Sequence, residues 1–352
     1  MGILPMGHRG HYRLSFKLSN KIKTMKAAVF REFGPPGEMI GLVEKPLPQP
    51  GADQLRLRIH YSPIHPSDLN LIEGVYGIRP ELPACAGGEA SATIDAVGSN
   101  LAGDFSIGTP AILPRRPAAG AWQEHLLVQA NEIHILPQGI DLEQASMLAL
   151  NPATAWGLLN LFADLSPGDW IVLNAANSAV GHCLIQLARE RDLHTLALVR
   201  REQTISPLRE LGADCVLLDQ PDSIAPAREA FGDQAPRLAL NAVGGDSALR
   251  LMDLLADQGH HVTYGAMSRL SLKVPNKFLI FKRLTLTGFW VTRWLESAPA
   301  SQVSTMLDEL AAQMENGCLH MPVAEVYPLG EIKSAIAAAQ QDRRPGKILL
   351  SF

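Results

Sequence analysis

At 352 residues the chain is long enough for two domains of ordinary size. Its 47% hydrophobic and 19% charged content, with no apolar run of bilayer-spanning length, excludes a disordered chain and a helical membrane protein. The net charge of −4 includes five cations and no acid in residues 1–24, so residues 25–352 carry about −9, a balance that excludes a nucleic-acid partner.

Residues 1–24 hold Arg9, Arg13, Lys17, Lys21 and Lys23 and read as a basic N-terminal extension. They lack the long apolar segment of a secretory signal. One reading is a transit peptide, which would send the chain to the mitochondrial matrix. The other is upstream residues ahead of Met25 in a cytoplasmic protein, favoured because Pro5, Gly7 and Gly10 make a poor amphipathic helix. Cys85, Cys183, Cys215 and Cys318 lie far apart, so buried thiols in a reducing compartment are expected, not disulfides or a zinc cluster.

From Met25 to about Ala130, short apolar runs alternate with Gly and Pro. Strands are predicted at Lys26–Phe30, Gln54–Ser62, Gly88–Val97, Thr109–Leu113 and Ala121–Val128, the pattern of an antiparallel β domain. Near residue 140 the pattern changes, with helices predicted from Asp141 and over Pro152–Phe162. Six apolar runs then alternate with helical stretches: Trp170–Leu173, Thr195–Val199, Cys215–Leu218, Leu238–Ala242, His261–Tyr264 and Leu284–Trp290. Alternation at this spacing means βαβ units and a doubly wound parallel sheet. Helices over 301–316 and Glu331–Gln340 precede a terminal strand, Lys347–Phe352.

The most informative stretch is Trp170 to Gly181, where an apolar strand turns through small residues into an apolar-periodic helix. In a dinucleotide-binding unit the N–H groups at such a helix start face a pyrophosphate. The turn is not a full G-x-G-x-x-G, since Asn177, Ser178 and Ala179 stand where glycines are commonest. The next apolar run ends in Arg200-Arg201, where an NAD-selective unit has an acid for the ribose 2′-hydroxyl. Guanidinium groups there suit a 2′-phosphate, so NADPH is the expected cofactor. The alternative for Arg200 is a solvated charge at a strand end.

Eight local sequences occur in order over nearly the whole body: Pro66-Ser-Asp-Leu-Asn70, Gly74-Val-Tyr-Gly77, Pro80-Glu-Leu-Pro83, Asn151-Pro-Ala-Thr-Ala155, Asn174 to Gly181, Leu238 to Gly245, Val262 to Met267 and Gly288-Phe-Trp290. With them, Met25 to Phe352 resembles the medium-chain dehydrogenase/reductase superfamily. Its trans-2-enoyl thioester reductases, of the mitochondrial enoyl reductase kind, are the best match, and the quinone-oxidoreductase-like group is next. The resemblance implies an α/β chain with a GroES-like β-rich catalytic domain (25–147 and 293–352) and a doubly wound parallel (Rossmann) NADPH-binding domain (148–292).

The zinc-dependent members need three side-chain ligands. At the corresponding positions this chain has His65, Gly87-Gly88-Glu89 and Leu150-Asn151-Pro152. One imidazole without partners does not hold catalytic zinc, so the expected metal is none and His65 reads as a pocket or structural histidine. Alone, Gly-Val-Tyr-Gly reads as a loop tyrosine packed at a domain boundary. The resemblance puts Tyr76 at the proton-donor position, where a phenol that keeps its proton at pH 7 can protonate or hydrogen-bond an enolate.

The resemblance further implies Asn151 beside the nicotinamide, and Asn177, Ser178, Ala179 and Val180 under the pyrophosphate. It puts Arg200 and Arg201 at the 2′-phosphate, although Glu202 stands where the family often has a second base. Tyr264, Gly265, Ala266 and Met267 follow a strand end in the cleft, Phe289 and Trp290 sit near the nicotinamide, and Lys347 comes from the return segment. Trp290 is also expected at the catalytic site, helping to line the substrate pocket. Phe278-Leu-Ile-Phe281 is apolar near the expected cleft, with core packing as its alternative. Lys277, Lys282, Arg283 and Arg293 are either contacts for coenzyme A phosphates or an acidic carrier protein, or solvated surface charge.

The expected function is NADPH-dependent reduction of the 2,3 double bond of trans-2-enoyl thioesters of coenzyme A or acyl carrier protein, by a homodimer paired through the last strand of the parallel sheet. The alternatives are an NADPH:quinone or general enone reductase and, third, a non-catalytic NADPH-binding protein.

Overall fold

The computed structural model describes residue 1, residues 23–341 and residues 344–352; the basic extension read from the sequence lies, over 2–22, outside the described residues. The first part of the chain runs β1 (Thr24–Phe30), α1 (Pro36–Met39), β2 (Ile40–Pro46), β3 (Gln54–Pro63), α2 (Pro66–Glu73), β4 (Ala84–Cys85), β5 (Ser91–Val97), β6 (Pro110–Ile112), β7 (His125–Gln129) and β8 (His134–Ile135). Alternation along β3 turns Leu55, Leu57 and Ile59 into a core shared with Ile94, Leu126 and Val128, and leaves Arg56 and Arg58 facing outward. A three-stranded sheet, β2-β1-β4, packs beside this one.

After α3 (Leu142–Ala145) and α4 (Asn151–Asn160) the chain alternates strand and helix: β9 (Trp170–Asn174), α5 (Ala179–Arg189), β10 (His194–Val199), α6 (Ile205–Leu211), β11 (Cys215–Leu218), α7 (Ile224–Phe231), β12 (Leu238–Asn241), α8 (Gly245–Leu254) and β13 (His260–Thr263). Helix α9 (Asn276–Ile280) then leads to β14 (Thr285–Gly288). These six strands form one sheet in the order β11-β10-β9-β12-β13-β14, every neighbouring pair parallel. Strand order reverses between β9 and β12, which opens a crevice at their carboxyl ends where a dinucleotide fits. Helices on both faces explain why Ile171, Val172, Leu173 and the run Leu196–Val199 are all buried.

The rest of the chain is α10 (Val291–Ser297), α11 (Ala300–Glu315), β15 (Val323–Pro328), α12 (Ile332–Ala339) and β16 (Lys347–Ser351). Strand β16 pairs antiparallel with β3 and parallel with β15, completing the seven-stranded sheet of the first part. The return brings Lys347, at the head of β16, back to residues near position 65. The fold is the expected two-part α/β architecture, a β-rich unit joined to a doubly wound parallel sheet. Several strands differ from their predicted extent: Gly88–Val97 is strand only from Ser91, and the strand predicted at Ala121–Val128 begins at His125. The run Leu284–Trp290 is strand only over Thr285–Gly288; Phe289 and Trp290 leave the sheet, and Trp290 caps α10.

Candidate active site

The phosphate-facing turn is built from small residues. After β9 the chain bends through Ala175 at φ 48°, and Ser178 caps α5 by accepting a hydrogen bond from the Gly181 N–H at 3.2 Å. Gly181 must be glycine, because a methyl there would run into the carbonyl oxygen of Ala176. The first N–H groups of α5, at Ala179 and Val180, therefore point out of the turn without intrahelical partners, the arrangement that binds an anion. Asn177 is exposed beside them. Arg200 is exposed just past the end of β10, and Arg201 caps the short turn that follows it.

Beneath this turn, buried amides tie the strand ends together. Asn174 donates to Asn241 Oδ1 at 2.9 Å and to Ser247 Oγ at 2.8 Å, and accepts from the Ala242 N–H at 2.7 Å. Asn241 donates to Thr263 Oγ1 at 3.1 Å. The loop after β13 is held in turn, with Tyr264 N donating to Asn241 O and Met267 N to Ala242 O, each at 2.9 Å. Gly265 lies between them, while Ala266 and Met267 are exposed. The Tyr264 hydroxyl is buried without a well-formed hydrogen bond; burial pushes its ionisation up, and the nearby Ser178 hydroxyl opposes that shift.

A second cluster joins three elements. Lys347 Nζ lies 2.9 Å from His65 Nδ1, and His65 Nε2 lies 2.6 Å from Glu89 Oε1. An ammonium only donates, so Nδ1 is the acceptor and the ring proton sits on Nε2, donated to Glu89. Burial, then the charges of Lys347 and Arg116, hold His65 well below the usual histidine range, so the ring is neutral. Burial also pushes Glu89 up to about 8, against the attraction of Lys347, and pulls Lys347 down to about 8, against the attraction of Glu89. His65 takes one of the three ammonium donors. Among the described residues Glu89 Oε2 and the Asn151 Nδ2 amide are buried without a well-formed hydrogen bond, although the backbone N–H groups of Leu150 and Ala149 lie near enough to Glu89 to favour its charge.

Tyr76 is placed by α2. Pro66 occupies the first turn, the Asp68 carboxylate accepts the His65 N–H at 2.9 Å, and Gly74 ends the helix at φ 77°. A Cβ on Gly74 would lie 2.9 Å from the Phe33 ring, so both conformation and space demand glycine. The chain then turns Tyr76 against Trp290. Their rings meet edge-on at 88° with centroids 5.9 Å apart, and the indole Nε1 donates to the phenol oxygen at 3.2 Å. The phenol accepts from the indole, which leaves its own O–H to donate elsewhere. A cavity of about 20 Å³ lies beside it, lined by Ser67, Tyr76, Gly88, Arg115, Arg116 and Thr292 among others.

The other expected pocket residues are placed elsewhere. Phe289 is 9% exposed, packs over Gly157 of α4 and meets the Phe162 ring at 5.5 Å, so it belongs to the core backing the site. Phe278 is buried on the opposite face of the parallel sheet, and Phe281 is 78% exposed; neither lines the cavity beside Tyr76. Lys282 spends its ammonium on the carbonyls of Asp253 and Leu255, at 2.7 Å each, and Arg283 is paired with Asp257. Both serve local structure, whereas Arg293 lines a groove beside Trp290. Glu89, Asp68, Asn174, Asn241, Arg115 and Arg116 were not singled out as site residues by sequence; Asp68, Asn174 and Asn241 fall inside the quoted motifs and Glu89 beside a position compared with the zinc-dependent members, while Arg115 and Arg116 were visible only as paired cations between Pro114 and Pro117. No group of three His, Cys, Asp or Glu side chains suited to a metal ion occurs among the described residues.

Two family models match the chain, one described as an alcohol dehydrogenase GroES-like domain over residues 51–138 and one as a zinc-binding dehydrogenase over residues 179–312. The human protein named enoyl-[acyl-carrier-protein] reductase, mitochondrial, is 33% identical over 361 aligned positions that cover 100% of this chain and 95% of the relative. A Bacillus thuringiensis structure described as a candidate NADPH:quinone reductase superposes with a TM-score of 0.86 at 26% identity, covering 94% of this chain and 99% of that one. The structure of an Etr1p/NADP/crotonyl-CoA complex superposes with a TM-score of 0.84 at 25% identity, covering 94% of this chain and 100% of that one. The chain belongs to the medium-chain dehydrogenase/reductase superfamily, in the branch that holds enoyl thioester reductases and quinone oxidoreductases.

Proposed function

We propose that this protein reduces the 2,3 double bond of trans-2-enoyl thioesters, carried on coenzyme A or acyl carrier protein, with NADPH as reductant. The observation that carries the reading is the Trp290–Tyr76 hydrogen bond, which holds the phenol oxygen beside a small cavity. NADPH, when bound, supplies the hydride that saturates the β-carbon. Tyr76 gives the α-carbon its proton, directly or through a water, and its O–H stabilises negative charge on the thioester oxygen until then. Trp290 holds the phenol oxygen in place through its indole N–H.

The residues present suit the cofactor. Asn177, Ser178, Ala179 and Val180 offer a positive helix start to the pyrophosphate, and Arg200 with Arg201 stands where a 2′-phosphate is met. Asn151 and Lys347 have spare buried donors for the nicotinamide end, and the Tyr264 hydroxyl stands ready at the strand-end loop of Gly265, Ala266 and Met267.

NADPH oxidation with crotonyl-coenzyme A, run beside an o-quinone, tests the reading: formation of butyryl-coenzyme A is expected. Turnover of the quinone alone would transfer the protein to the second reading, which the similarity to a candidate NADPH:quinone reductase favours. Quenching of tryptophan fluorescence by NADPH with no enone turned over would leave a binding protein.

We infer a homodimer through the edge of the parallel sheet, because β14 has no further neighbour among the described residues and α9 before it exposes Leu279, Ile280 and Phe281. Sedimentation of the native chain as a monomer would end that inference. No described helix is long and apolar enough to cross a membrane. For the compartment we favour the cytoplasm, on the poor amphipathic pattern of residues 1–24; the curated relative's mitochondrial name supports the matrix as the second reading. Sequencing the N-terminus of the native protein separates them.

A further inference from the structure

The cavity beside Tyr76 shares Arg115, Arg116 and Thr292 with a larger chamber of about 550 Å³. Much of that chamber is apolar, walled by Leu71, Ile78, Pro83 and Ala84. A substrate at Tyr76 that extends into it must pass two guanidinium groups.

They differ in what they already hold. Arg116 Nη2 donates to the buried Asp68 carboxylate at 2.7 Å, in space that Gly88 leaves open; a Cβ on Gly88 would lie 2.8 Å from that nitrogen. Arg115 donates from Nε to the Leu295 carbonyl at 2.8 Å and has no ion pair among the described residues. Its backbone-tied Nε anchors the guanidinium and leaves the four Nη hydrogens of the fork unassigned. Lys45 adds a third, half-buried cation to the wall. The carboxylates that line the chamber, Glu81 and Glu296, are exposed, and Glu296 already faces Arg293 at 4.0 Å. The half-buried wall is thus cationic and the solvated rim acidic.

An apolar tail threaded past Arg115 would strip water from its guanidinium and return no hydrogen bond, which opposes binding. A carboxylate or phosphate returns two in the bidentate geometry the fork favours. We propose that Arg115, braced by Leu295 and flanked by the Arg116–Asp68 pair, is an anion subsite next to the Tyr76 cavity, and that preferred substrates place an anionic group there. The group is either a carboxylate at the far end of the acyl tail or a phosphate of the thioester carrier. The proposal rests on the enoyl thioester reading for what occupies the Tyr76 cavity, and it adds the charge of the substrate.

Equilibrium binding of saturated thioesters, which cannot react, tests it without turnover. Adipoyl- and hexanoyl-coenzyme A are compared, together with the same acyl groups on N-acetylcysteamine, which lacks phosphates. Adipoyl binding tighter by about tenfold on both carriers assigns the tail carboxylate. Equal binding of the two acyl groups, with about tenfold lost on removing the phosphates, assigns the carrier. In either case Arg115→Gln should reduce the advantage to about twofold or less, while Arg115→Lys, which keeps the charge, retains part of it. The proposal is overturned if neither anion matters in the native protein, or if Arg115→Gln leaves the advantage intact. Anion preference without reduction of crotonyl-coenzyme A would spare this subsite and sink the reductase reading.

Discussion

Trp290 Nε1 donates a hydrogen bond to Tyr76 Oη across 3.2 Å, although 214 positions separate the two residues. Tyr76 follows α2 of the β-rich part, and Trp290 stands where the chain leaves the parallel sheet for α10. The contact therefore joins the two parts of the molecule at the proposed proton donor.

Removing the phenol hydroxyl separates chemistry from cofactor binding. In Tyr76→Phe, kcat for crotonyl-coenzyme A should fall by roughly 10²-fold or more, the usual contribution of a positioned acid. The NADPH dissociation constant should stay within about twofold. Steady-state kinetics with a parallel fluorescence titration checks both, and undiminished turnover would remove Tyr76 from the mechanism.

Trp290→Phe keeps an aromatic ring but deletes the donor that orients the phenol. One hydrogen bond is worth about 1 kcal/mol, so kcat should drop by about fivefold. An effect confined to NADPH affinity would place Trp290 with the cofactor instead.

Gly181→Ala puts a methyl against the Ala176 carbonyl in the turn under the proposed pyrophosphate site. The backbone must shift, at about 1–3 kcal/mol, and the α5 N–H groups move with it. Both melting temperature and NADPH affinity should fall. A variant that melts lower but binds NADPH normally would show that the turn serves only the fold.

Lys347 sets a pH dependence. Burial lowers its pKa from 10.5 to about 8, while Glu89, Asp68 and Cys183 raise it and Arg344 lowers it further. NADPH affinity should weaken as pH rises through about 8 and the ammonium is lost; the cofactor's 2′-phosphate, ionising near ~6, is already charged there. Lys347→Met should bind weakly at every pH with a flat profile above pH 7. The stability signs differ. Between pH 8 and 10.5 the unfolded chain holds more protons at Lys347, so that residue's contribution to stability increases with pH. Between 4.5 and 8 the folded chain holds more at Glu89, so its contribution decreases with pH. A native affinity profile flat to pH 9 would take Lys347 away from the cofactor.

Arg200→Ala tests cofactor choice. Loss of one exposed phosphate partner should cut the preference for NADPH over NADH by roughly tenfold, with NADH kinetics little changed. An unaltered preference would shift the role to Arg201.

Legibility followed the local or non-local origin of each feature. The central strands of the parallel sheet were readable because burial on both faces makes them continuous apolar runs, as in Leu196–Val199, whereas the edge strand β14 is Thr-Leu-Thr-Gly and mostly exposed. Strand β2 was not, because its alternation is interrupted by Gly41 and Pro46 and half of it faces solvent. Nor was α2, a helix set by Pro66, the Asp68 cap and Gly74 rather than by apolar periodicity.

By its residues alone the chain determined the order of the two parts and the strand–turn–helix opening at Trp170 to Gly181. These are local properties, written in periodicity and in residue type at a given place. Only the tertiary structure decided that Lys347 meets His65, that the Trp290 indole donates to Tyr76 rather than packing in the core, and that Arg115 faces a chamber with no carboxylate partner among the described residues. Each depends on segments far apart in sequence being brought within hydrogen-bonding range by sheet pairing and core burial, and no local pattern records that.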